Sequence, residues 1–263
     1  MSVAGCTLRL VHTEATVDTA LELAAAGLHA TEIGRRLGVP KSTVQYWCRG
    51  GRRLEPAADR CRPCPRCHGA PLAAAAYAYL LGTYLGDGHI TEPSATTEVL
   101  AIYCSDDWPG ISAESEHAMR AVLPRSNVSR APRSGSHALR SHSRHWLCLF
   151  PQHGPGTKHT RSIVLEPWQR SIVGENPGLL LRGLFHSDGC RNLNWTQKRT
   201  EKGVVRYEYA RYLFSNKSED ILAICEAALD SLDIAHRRAR WDVVSVARRA
   251  AVARLDEFVG PKY

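Results

Sequence analysis

The sequence predicts an α+β chain in which two pseudo-symmetric halves, each a helix followed by strands and packing helices, stand behind a small all-α N-terminal module. Three observations predict it. A nine-residue phrase occurs twice, as Leu80-Leu81-Gly82-Thr83-Tyr84-Leu85-Gly86-Asp87-Gly88 and Leu181-Arg182-Gly183-Leu184-Phe185-His186-Ser187-Asp188-Gly189. Strand-like and helix-like runs follow the two copies in the same order. The first stretch of the chain carries helical periodicity broken by a glycine turn. The expected boundaries are 1–52 for the helical module, 53–72 for a Cys-rich linker, 73–174 for the first half and 175–263 for the second.

In the N-terminal module Ala20, Leu21, Leu23 and Ala24 make an apolar helix that stops at Gly27. Ala30 to Leu37 is a second short helix, Gly38-Val39-Pro40 a turn, and Lys41 to Cys48 a third helix. Ile33, Leu37, Val44 and Trp47 take the inward positions, which leaves Lys41, Ser42, Thr43, Gln45 and Tyr46 facing outward. The pattern resembles the helix-turn-helix of bacterial regulators and resolvases. That resemblance implies DNA contact from the outward set, Gln and Lys suiting base edges and Ser, Thr and Tyr suiting phosphates. A helical pair that simply packs on its own domain satisfies the same spacing.

The segment from Arg49 to Pro71 has the Pro, Gly and Arg content of a linker. Within it lies Cys61-Arg62-Pro63-Cys64-Pro65-Arg66-Cys67-His68. Cys64-x-x-Cys67 has the spacing of one zinc knuckle, and Cys61 or His68 would add a third ligand to Zn²⁺. A structural zinc needs four ligands, and no second CxxC completes the set; Cys48 or a distant residue would have to. Both a thiol-rich linker and a structural zinc site remain open here.

The repeated phrase has a physical reading of its own. Gly82 and Gly86, like Gly183 and Ser187, are four apart, so one stripe of each helix carries almost no side chain and two such stripes can meet closely. Glycine inside a helix costs about 1 kcal/mol relative to alanine, and a close crossing compensates. Gly88 and Gly189 suit left-handed helix caps. Asp87 and Asp188, 101 positions apart, would then sit together at the negative ends of two helices. Beside a like charge, they favour a divalent cation, and a hard site of few carboxylates with water and phosphate suits Mg²⁺.

After the first copy, Val99 to Cys104 reads as a strand, Ser105-Asp106-Asp107 as a cap and Ile111 to Val122 as a helix. After the second, Tyr207 to Phe214 is a strand, Ser215 to Asp220 a cap, and a helix runs to about Leu232. Each half closes with a strand leading into a helix: Arg161–Val164 into Glu166–Val173, and Val243–Arg248 into Ala250–Phe258.

The net charge of +8 and pI near 9.1 favour a polyanionic partner. From His117 to Val164 there is no Asp or Glu, whereas Arg120, Arg125, Arg130, Arg133, Arg140, Arg144, Lys158 and Arg161 are basic. A solvated surface mixes signs, so this tract is expected to face phosphates, with Arg130, Arg133, Arg140 and Arg144 as contacts. Arg191, Lys198 and Arg199 begin the corresponding tract of the second half. No run approaches the ~18 apolar residues of a membrane span and no signal segment opens the chain, so a cytoplasmic protein is expected with no membrane partner. Nine cysteines then point to thiols or metal ligands rather than a disulfide frame.

The two copies resemble the paired motifs of the LAGLIDADG homing endonucleases, in the single-chain form. The resemblance spans roughly Pro71 to Tyr263. It implies two αββαββα halves forming a DNA-binding saddle, and sequence-specific, metal-dependent cleavage of double-stranded DNA across the minor groove. It also implies that Asp87 and Asp188 hold Mg²⁺, joined by backbone carbonyls near Gly86 and Ser187. Polar residues at the sheet edge, Asn216 and Lys217 in one half and Ser105 and Asp106 in the other, would order water. Lys158 or Arg161, and Arg248 or Arg249, would supply positive charge; arginine at the second place cannot easily surrender a proton, which suits charge stabilisation rather than base catalysis. The alternative is a non-cleaving transcriptional regulator on the same fold, similar to the actinobacterial sporulation regulators that also carry a helix-turn-helix. Both halves in one chain suggest a monomer on DNA. His137, His142, His145, His153 and His159 read as DNA-facing or exposed polar positions, while His89 and His186 fall nearer the metal.

Overall fold

The computed structural model describes residues 12–49, 64–94, 97–201 and 203–263. The chain divides into two units, Met1–Pro63 and Cys64–Tyr263, so Cys64 and Cys67 belong with the second unit rather than with a free linker. Cys61 lies outside the described residues. No helix among the described residues is long and apolar enough to cross a membrane.

The described residues of the first unit form three helices: α1 (Glu14–Ala25), α2 (Ala30–Leu37) and α3 (Lys41–Cys48). Thr13 caps α1 by accepting from the Thr16 amide. Gly38, left-handed at φ +65°, ends α2, a backbone state that glycine adopts without penalty. Val17, Ala20, Ile33, Val39, Val44 and Trp47 are buried together, and Leu37 packs half-buried against them. Helical spacing thus placed the inward set as expected. Lys41, Ser42 and Tyr46 are exposed, and Thr43 and Gln45 half-buried.

The second unit repeats one plan twice. Its first half runs α4 (Ala74–Asp87), β1 (Gly88–Ser94), β2 (Thr97–Ser105), α5 (Pro109–Val122), β3 (Val128–Arg133), β4 (Ser136–Ser143), the short α6 (Trp146–Leu149) and α7 (Pro167–Glu175). Its second half runs α8 (Pro177–Asp188), β5 (Gly189–Thr200), β6 (Gly203–Ser215), α9 (Glu219–Asp230), β7 (Arg237–Arg240), β8 (Val243–Val246) and α10 (Arg249–Asp256). The sheets have matching antiparallel orders, β1-β2-β4-β3 and β5-β6-β8-β7. This is the expected αββαββα architecture, and one continuous core serves both halves. Leu80, Leu81, Leu180, Leu181 and Leu184 are fully buried in it, each such side chain contributing about 1.5–3 kcal/mol.

Two local expectations are corrected. Gly88 and Gly189 are extended, with φ −89° and −104°, and not left-handed. Each helix passes straight into a strand, Gly88 pairing with Ile102 and Gly189 with Phe214. Glycine is needed there because a Cβ on Gly88 would lie 2.8 Å from the Tyr84 side chain, and one on Gly189 would lie 2.6 Å from Phe185 Cα. Arg161–Val164 is not a strand. Burial alternates along it as in a strand, but side chains satisfy its backbone: Asp220 accepts the Ile163 amide at 2.7 Å, and Gln152 donates to Val164 O at 3.0 Å. The last strand of the first half is instead β4. The helix expected after Arg161–Val164 does form, as α7, with Pro167 in its first turn and a Glu166/Gln169 capping box.

Candidate metal and nucleic-acid site

The site is built where α4 and α8 cross. A methyl on Gly82 would lie 2.8 Å from Leu184 N, and one on Gly183 2.9 Å from Thr83 N. Backbone therefore meets backbone across the small-residue stripe. One turn further on, a methyl on Gly86 would lie 2.5 Å from Ser187 Cβ and 3.1 Å from Asp188 Oδ2. Asp87 and Asp188 end the two helices side by side, half-buried and within electrostatic reach of each other.

Each carboxylate faces its own cleft. Asp188 lines one of about 560 Å³ with His89, Lys158, Arg161, Asn216 and Lys217. Asp87 lines one of about 300 Å³ with Cys104, Ser105, His186 and Lys262. Burial first, then the charge of Asp188, pushes the Asp87 carboxyl up to about 6. Burial also raises Asp188, opposed by the Asn216 amide, which donates to Asp188 Oδ2 at 2.7 Å, and by Lys158 and Lys262.

Two lysines complete the arrangement with the same pseudo-symmetry. Lys158 Nζ donates to Tyr84 O (2.6 Å) and Gly86 O (2.7 Å) at the end of α4. Lys262 Nζ donates to Ser187 O (2.9 Å) at the end of α8. A cation is favoured at a helix C-terminus, and both carbonyls expected to face a metal are thereby partnered by ammonium groups, with a second lone pair left on each oxygen. Burial lowers both lysines, Lys158 to about 8, against the opposing pull of the two aspartates.

Lys262 fills the place expected of Arg248 or Arg249. Arg248 is the exposed residue just before α10, and Arg249 is the first residue of that helix. The signal was present: Gly154-Pro155 precedes Lys158 as Gly260-Pro261 precedes Lys262. Strand register also makes Cys104, not Ser105 or Asp106, the counterpart of Asn216, because each stands two residues beyond the partner of the motif glycine. Asp106 is turned away onto His137 Nδ1 at 2.7 Å.

Among the basic residues, sheet face separates two groups. Arg133, over the Tyr103 ring at 4.7 Å, and Arg140 lie on the face of the first sheet away from its helices. Arg130 turns to the helix side and pairs with Glu116 at 3.0 Å; Arg191 does likewise with Asp256 at 2.7 Å. Arg144 is exposed just beyond β4. In the second half, Lys198 shares the open face with Asn192, Asn194, Tyr207, Tyr209 and Arg211, whereas Arg199 lies on the opposite face of the exposed β5–β6 ribbon.

The histidines divide too. His142 and His159 are exposed, as expected. His137 is held between Asp106 and Ser112, His153 faces Tyr84 and His89, and His145 is buried beside Cys67. His186 is also buried, bonded to the Tyr79 hydroxyl and Val259 O, and burial pushes it down to about 4. His68, proposed as a zinc ligand, instead accepts the Cys64 amide on Nδ1 at 3.1 Å.

Neither protein families nor curated proteins contain a match to this chain. Among solved structures it is similar to mesophilic variants of the homing endonuclease I-DmoI (TM-score 0.46, 15% identity, 71% of this chain and 96% of that one). It is also similar to I-DmoI in complex with DNA and Mn (TM-score 0.47, 14% identity, 72% and 98% covered). A third likeness is to the LAGLIDADG meganuclease I-AabMI bound to uncleaved DNA (TM-score 0.43, 11% identity, 69% and 82% covered).

Proposed function

We propose that the chain is a sequence-specific double-stranded DNA endonuclease of LAGLIDADG homing type, acting as a monomer with Mg²⁺. The observation that carries this reading is the convergence of Asp87 and Asp188 at a close helix crossing, each beside a lysine, next to sheets with cationic and aromatic open faces. The donor set fits a hard divalent ion: two half-buried carboxylates with raised proton affinity are relieved by positive charge, and the Gly86 and Ser187 carbonyls stand adjacent. When bound, such an ion supplies charge neutralisation on the phosphoryl oxygens and a more acidic water.

The chain's own residues do the rest. Asn216 fixes the orientation of Asp188. Lys158, whose hold on its proton burial lowers to about 8, exchanges that proton with water or with the departing 3′ oxygen. Lys262 holds a second positive charge on the Asp87 side. Arg133, Arg140, Lys198 and Arg211 contact phosphates. The aromatic side chains of the β5–β6 ribbon add apolar contacts. Outward residues of α3, namely Lys41, Ser42, Thr43, Gln45 and Tyr46, extend recognition beyond the cut site.

The N-terminal unit also favours the second reading, a transcriptional regulator that binds without cutting. Incubating the purified chain with a randomised plasmid library and Mg²⁺, in parallel with Asp188→Asn, separates the two. Magnesium-dependent nicking that the substitution abolishes supports the nuclease. A retained footprint without cuts supports the regulator.

A further inference from the structure

Apart from the carboxylate clefts, four side chains converge from two distant stretches of chain. Cys64, Cys67, His145 and Cys148 each present one ligand atom, and all four atoms lie within 4.8 Å of one another. We propose that these residues bind a structural zinc ion as a Cys₃His centre. Tetrahedral zinc, with Zn–S of about 2.3 Å and Zn–N of about 2.0 Å, spaces its sulfurs about 3.8 Å apart and sulfur from nitrogen about 3.6 Å. Cys67 Sγ and His145 Nδ1 are 3.4 Å apart.

Both sides of the cluster are shaped around it. In the knuckle, the Arg66 amide points at Cys64 Sγ at 3.4 Å, and the His68 amide returns to Cys64 O at 3.0 Å. Gly69, at φ +65°, lets the chain double back there. An amide aimed at a buried sulfur stabilises thiolate, the form that ligates zinc. Opposite it, the Ser143 hydroxyl accepts the His145 amide at 3.2 Å and Glu98 accepts the Leu147 amide at 2.7 Å, which fixes the turn carrying His145 and Cys148. Such outer partners are what orient metal ligands.

A disulfide accounts for less. It joins two of the three sulfurs, leaves the third beside an imidazole, and has no use for His145. Four protein ligands close the coordination sphere, so the ion is structural rather than catalytic. None of the four lines the clefts at Asp87 and Asp188. The ion would clamp the segment entering α4 to the end of the first sheet.

The test uses the full-length chain. Elemental analysis should find about one zinc per chain, retained in Cys48→Ser and Cys61→Ser, and zinc affinity should fall at least about tenfold in Cys148→Ser and His145→Ala, with zinc lost on dialysis against chelator. Cobalt added to chelator-stripped wild type should give the intense visible bands of a tetrahedral site with sulfur-to-metal charge transfer. A wild-type thiol count, which needs no variant to fold, should show three fewer reactive cysteines with zinc than after stripping. Wild type that holds no zinc and leaves cobalt octahedral would overturn the proposal. So would full zinc in Cys148→Ser, or loss of zinc in Cys61→Ser alone.

Discussion

Asp87 carries the clearest conflict between stability and chemistry in the molecule. Its folded affinity for a proton, raised from 3.8 to about 6, exceeds that of the unfolded chain, so between those values the native state binds more protons and stability falls as pH rises. The full penalty is present above about pH 6 and absent near pH 4. Asp87→Asn should therefore stabilise the protein in magnesium-free buffer by about 1–2 kcal/mol at pH 7.5 and by almost nothing at pH 4. Urea unfolding at the two pH values checks this; an equal gain at both contradicts it. The same variant should lose magnesium-dependent nicking. Lys262→Met should lower nicking about 100-fold while DNA affinity is held, measured by cleavage of pre-bound substrate. The aspartates were legible in the sequence because the phrase that carries them occurs twice. Lys262 was not, because its Gly-Pro-Lys signal is short and follows strands whose lengths differ between halves.

At the level of elements, the crossing of α4 and α8 depends on atoms that cannot rotate away. Gly183→Ala would place a methyl against Tyr79 O and 2.9 Å from Thr83 N, all backbone. It should cost about 3 kcal/mol, seen as a lower urea midpoint at unchanged slope. Helix pattern, strand order and the inward set of the first unit were legible from periodicity alone. What escaped depended on partners distant in sequence. Arg161–Val164 alternates like a strand yet is satisfied by Asp220 and Gln152. Arg130 belongs to a basic tract, but the parity of its strand turns it toward Glu116. Periodicity gives the alternation of faces and not which face a helix covers.

For the whole molecule, charge and covalent order say different things. The net charge of +8 indicated a polyanionic partner, yet pairing on the helix side removes Arg120, Arg130 and Arg191 from the cations available to it. Lys198→Ala should weaken DNA binding and reduce the salt slope of affinity by about 1, leaving the single-turnover cleavage rate of saturated complex unchanged. Binding isotherms across salt, with quenched cleavage at saturating protein, check both parts. The cysteine pattern was half legible: Cys64-x-x-Cys67 was visible, while His145 and Cys148 required a fold to bring them alongside.

Neither motif helix is separated from its sheet by a loop, since Asp87 adjoins Gly88 of β1 and Asp188 adjoins Gly189 of β5. The joints have no slack. A duplex whose shape fits the strands poorly would tilt them, and the acids would swing with them. In the proposed endonuclease, fidelity would then reside in the speed of scission more than in the tightness of docking, with the reader and the blade forged as one piece.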